Sequence, residues 1–140
     1  MKKIISIIAL MGIVVSCFVF ASCEKDQTEI KPFENLQISE TESIAVIRNK
    51  KEYVLAEAEK KELLHILNSI TTYGEHPESN EIIGEWQEHF TVRKNDGSEF
   101  VVSFFYPNIK IDGTHYIANE DQVRLGNDLF ERICQEQFSQ

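Results

Sequence analysis

Between Trp86 and Ala118 the chain alternates side chains residue by residue and turns every few positions, which limits how it can fold. In Trp86–Lys94, Trp86, Phe90 and Val92 share one parity, while Gln87, His89 and Thr91 take the other. In Glu99–Tyr106, Phe100, Val102, Phe104 and Tyr106 share one parity, with Val101 and Phe105 opposite. A period of two is that of a β-strand. Asn95-Asp96-Gly97 is a hairpin turn signal, and Asp112-Gly113 is another, between Ile109-Lys110-Ile111 and Thr114–Ala118. Pro107-Asn108 ends the second strand. Strands joined by so few residues run antiparallel. The placement of Val101 and Phe105 leaves two alternatives. Either the strand is central and covered on both faces, or these side chains form an exposed apolar patch of the kind that marks a binding surface.

The same reading extends upstream. Ile44–Arg48 and Glu52–Leu55 flank Asn49-Lys50 as a first hairpin. Leu63, Ile66, Leu67 and Ile70 recur at helical spacing, so a helix is expected over about Glu57–Ile70. Glu57 and Lys61 form an i,i+4 pair, and Gly74 follows as a stop signal. A last helix begins at Asn119 as N-cap, with Gln122 at the capping-box position. Val123, Phe130, Ile133 and Cys134 form its apolar side, which Leu125 and Leu129 widen. Gly126 inside that helix either permits close helix–sheet approach or is merely tolerated, at about 1 kcal/mol relative to Ala. The order ββα-ββββα with short hairpins predicts an α+β domain, an antiparallel sheet with two helices on one face. Strand order beyond the hairpins is not specified.

The N-terminus carries a different message. Lys2 and Lys3 precede an uncharged, mostly apolar run, Ile4–Phe20, and then Ala21-Ser22-Cys23. That is the layout of a secretory signal peptide. The run falls slightly short of the roughly 20 residues that a membrane span needs. Phe20-Ala21-Ser22-Cys23 resembles the lipobox of bacterial lipoproteins, with Phe20 where the family usually has Leu. Val14-Val15-Ser16-Cys17 is a rival, but cutting there leaves Phe18, Val19 and Phe20 at the new terminus. Cys23 is instead followed by polar Glu24-Lys25-Asp26-Gln27. The resemblance implies a diacylglyceryl group on Cys23 and often a further acyl chain, which together hold a protein at a membrane surface. It implies export and display in the cell envelope. The expected division is a signal peptide over 1–22, a lipidated Cys and flexible tether over 23–40, and one domain over 41–140. Phe33, Leu36 and Ile38 offer an alternative, an edge strand inside the tether.

Charge and cysteine content narrow the classes. Net charge is −9, and without residues 1–22 the chain keeps 12 basic against 23 acidic side chains. That balance opposes nucleic-acid binding, which relies on Lys and Arg neutralising phosphates, and opposes lying flat on anionic lipid. Beyond Cys23, the expected lipid attachment point, Cys134 is the sole cysteine, so stability rests on a hydrophobic core and not on disulfides.

No GxxxxGK[ST], GxSxG, HExxH or CxxC pattern occurs. Glu75, His76, Glu78 and Glu81 form a weak cation-binding candidate around Pro77; a solvated acidic loop explains them better. His89 lies on the polar parity of its strand, and a site shared with His115 requires neighbouring strands. The expectation is a non-catalytic, membrane-anchored envelope lipoprotein without a cofactor, binding a protein or peptide through a face that includes Val101, Phe105 and His89. A small-ligand or divalent-cation binder is the alternative, and a small hydrolase is a weaker one.

Overall fold

Two-residue turns at Asn49-Lys50 and Asp112-Gly113 set the outline of the sheet. All four of these residues have positive φ, the backbone that matches the twist of a tight hairpin. The computed structural model describes residues 28–76 and 88–139. Among these residues seven strands are present: β1 Thr41–Arg48, β2 Lys51–Val54, β3 Thr72–Glu75, β4 Glu88–Lys94, β5 Glu99–Phe105, β6 Asn108–Ile111 and β7 Thr114–Ala118. Helix α1, Glu57–Asn68, lies between β2 and β3, and helix α2, Glu120–Phe138, follows β7. The sheet order is β2-β1-β4-β5-β6-β7-β3, and every pairing is antiparallel. The expected α+β class and element order hold, with one strand added.

That added strand is β3. Gly74 is not the stop signal of the preceding helix, which already ends at Asn68. It sits inside β3 at φ 125°, where the register against β7 shifts between Thr72 and Glu75. Glycine adopts such a backbone without the steric penalty of a Cβ.

Register places one apolar row per strand on the face shared with the helices. Ile44 pairs with Val92, Val46 with Phe90, Phe90 with Val102, and Phe104 with Ile109. Leu63 and Leu67 of α1 and Val123 and Ile133 of α2 complete the same cluster. Each side chain of this size, fully buried, contributes about 1.5–3 kcal/mol. Phe90 takes edge-on contacts from Phe104 at 6.0 Å and Phe130 at 5.4 Å. On α2, Leu129 joins the buried side, whereas Leu125 is 49% exposed. Gly126 lies directly over Phe104, and a Cβ there would drive into the ring. Close approach is therefore its role.

Caps and ion pairs tie these layers together. Glu59 accepts a hydrogen bond from the Ala56 backbone N–H at 2.8 Å and another from the Tyr53 hydroxyl at 3.1 Å. Asn119 does precede α2, but its side chain makes no cap there. It accepts from Thr71 N–H and donates to Ser69 O instead, pinning the turn before β3. Arg48 bonds Glu88 and Glu131, each at 2.8 Å, and stacks over Phe130, joining the ends of β1 and β4 to α2. Glu57 pairs with Lys60 and not with Lys61.

The ordered body begins before the expected boundary at Thr41. Ile30 and Thr72 exchange two backbone hydrogen bonds, at 2.9 and 2.7 Å. Phe33 and Leu36 are buried in the main cluster, and Phe33 stacks on Phe100 at 5.2 Å. Residues 30–40 thus belong to the domain and not to a tether.

Candidate functional site

The residues left over by the core define the site. Strand parity sends Val101, Phe105 and His89 to the face of the sheet opposite α1 and α2. Thr91 pairs with Val101 across β4 and β5, and His89 lies two residues from Thr91 on the same side. β5 is the middle strand of the seven, so the centrality inferred from its two apolar parities is correct. Val101, Phe105 and His89 are all partly exposed. They are neither the open patch nor the covered strand that sequence alone offered, but an intermediate case.

His89 and His115 do not share a site. Two strands, β5 and β6, separate them. Beside His115 stand two residues that sequence reasoning passed over, Ser103 and Lys110. Ser103 pairs with Lys110, and Lys110 pairs with His115, across three adjacent strands on the helix-free face. All three are buried: Ser103 4%, Lys110 8% and His115 4% exposed. Each is a polar residue of an alternating strand, and their alignment into one row is a property of register. Ser103 Oγ donates to Glu88 O at 3.1 Å, so its hydroxyl proton is engaged by the backbone. Burial pushes the Lys110 ammonium pKa down. Burial also pushes the His115 imidazole down, and the charges of Lys110 and His76 add to that. The Phe105 ring lies 5.9 Å from that of His115.

The remaining candidates fall elsewhere. Glu75 is exposed and pairs in register with Tyr116. His76 donates its backbone N–H to His115 O at 2.9 Å. Glu78, Glu81, Cys17 and Cys23 lie outside the described residues. Among the described residues no group of three or more His, Cys, Asp or Glu is placed to hold a metal ion. No helix among them is long and apolar enough to cross a membrane. Cys134 is 1% exposed, and burial pushes its thiol up to about 11, the behaviour of an inert core cysteine.

A separate half-open cleft of about 360 Å³ lies where the 32–36 turn crosses the end of the sheet. Phe33, Phe100 and Ile111 form its apolar part, with Glu40, Lys94 and Asp112 among its polar residues. The Asp112 carboxylate already accepts from Val101 N–H at 2.8 Å.

The chain matches no protein-family model, no curated protein and no solved structure.

Proposed function

We propose that this is an exported lipoprotein, anchored in the cell envelope through lipid on Cys23, whose helix-free sheet face binds a protein or peptide partner. The observation that carries the binding half is a sheet with both helices on one side and half-exposed Val101, Phe105 and His89 on the other. Such a surface, apolar in patches and rimmed by polar groups, suits a protein partner. The layout of Met1–Cys23 supports the anchor. Metabolic labelling with a palmitate analogue tests it: Cys23→Ala should lose the label and release the protein from the membrane fraction, while Cys17→Ala should keep both. The binding face is tested by photo-crosslinking in membranes of the full chain. A photoreactive residue at Val101 should give a discrete adduct that Phe105→Asp diminishes, and one at Glu136 on α2 should not. Equal adducts at both positions would remove the assignment.

The cleft at the 32–36 turn favours a second reading, a small-ligand lipoprotein, because its volume lies within the range of small-molecule sites.

A further inference from the structure

The anchor reading acquires a direction from the strand order. Six residues, 24–29, separate Cys23 from Ile30, and Ile30 is fixed to Thr72 by two backbone hydrogen bonds. Whatever its conformation, such a segment spans at most about 25 Å. The chain that would carry the lipid therefore leaves the domain at one margin of the sheet, because β3 is the outermost strand beyond β7. The opposite margin, β2, is six strand spacings away, about 29 Å. Net charge supplies no pull that would draw a broad face down onto lipid. The chain beyond residue 22 carries 12 basic and 23 acidic side chains, and an anionic leaflet repels such a balance.

We infer that the domain stands edge-on to the bilayer, with β3 at the lipid headgroups and β2 directed away from the membrane. The inference rests on lipid attachment at Cys23, proposed above. It gives the molecule a membrane-proximal margin, Thr72–Glu75 with Lys31, and a distal margin, Lys51–Val54. The face opposite α1 and α2 then stands roughly upright between them, with partly exposed Val101, Phe105 and His89 turned toward a partner approaching alongside the membrane.

Two exposed glutamates make matched reporters. Glu75→Cys on β3 and Glu52→Cys on β2 remove the same charge from opposite margins. Cys134 is buried and stays unlabelled in the native protein. The full chain, lipidated in cells, is purified, labelled with a fluorophore at one position and reconstituted into phosphatidylethanolamine–phosphatidylglycerol vesicles bearing a headgroup nitroxide. Quenching at position 75 should exceed that at position 52 several-fold. A long Gly/Ser insert between Gln27 and Thr28 should shrink the contrast. Equal quenching in a vesicle-bound protein, or a contrast unchanged by the insert, overturns the edge-on arrangement alone. Failure to associate with vesicles, or a Cys23 that mass spectrometry finds unmodified, overturns the anchor and the orientation with it.

Discussion

Gly126 shows how a single residue sets a helix–sheet distance. A methyl group there would meet the Phe104 ring, and overpacking of a filled core costs about 1–3 kcal/mol. The helical preference of Ala over Gly offsets about 1 kcal/mol. Gly126→Ala should destabilise the protein by about 1–2 kcal/mol in urea unfolding, and Phe104→Leu in the same chain should recover part of the loss. An unchanged midpoint would show that the helix can retreat freely. His115 gives a residue-scale pH dependence. Burial, with Lys110 and His76, holds its imidazole below the ordinary value, so the fold favours the neutral ring. Above about pH 6.5 neither state is protonated and His115 imposes no cost. As pH falls below that value the unfolded chain takes up the proton first, so stability drops until the folded ring titrates in turn. Each pH unit of that window is worth up to about 1.4 kcal/mol for one proton. His115→Gln should flatten the fall of stability below pH 6.5, and parallel slopes for the two proteins would count against this account. Sequence alone left the glycine with two roles open and offered the histidine only a site shared with His89, conditional on neighbouring strands. In both cases the deciding atoms come from another strand or helix.

At the scale of elements, Asn68 is the joint between α1 and the N-terminal segment. Its Oδ1 accepts from Leu36 N–H and its Nδ2 donates to Leu36 O, each at 2.9 Å, while Nδ2 also reaches Leu64 O. Asn68→Ala removes both bonds to Leu36, and a buried polar group left unsatisfied costs about 1–3 kcal/mol. The variant should lose stability in that range, and limited proteolysis should cut first within 30–40. Resistance equal to wild type would mean that Phe33 and Leu36 hold the segment by packing alone. The hairpins were legible because turn chemistry and parity are local: Asn49-Lys50, Asn95-Asp96-Gly97 and Asp112-Gly113 each close the pair they announced. β3 was not, because four residues with Gly74 among them carry no alternation, and their pairing with β7 spans some forty positions of chain. The 30–40 segment was read as tether for a similar reason. Its polar composition conceals two side chains, Phe33 and Leu36, whose partners lie far along the sequence.

At the scale of the molecule, sequence specified the α+β class but not the strand order, since β1 beside β4 and β7 beside β3 are both long-range choices. The order has its own effect on the candidate face. It puts β5 in the middle and thereby sets Val101 and Phe105 among neighbours on both sides, which is why neither stands fully open. Within it, the register of consecutive strands aligns Ser103, Lys110 and His115 in one row.

The two margins of this sheet, β2 and β3, are joined by α1 alone, so Lys51–Glu75 is one continuous length of chain that runs from one open border to the other. Among the described residues no pairing joins the first strand to the last, yet a covalent strap fastens them across the core. A disturbance at one border is therefore carried to the other through a single helix. On the edge-on arrangement inferred above, a pull on β2 would load β3, and with it the segment tied at Ile30, through α1.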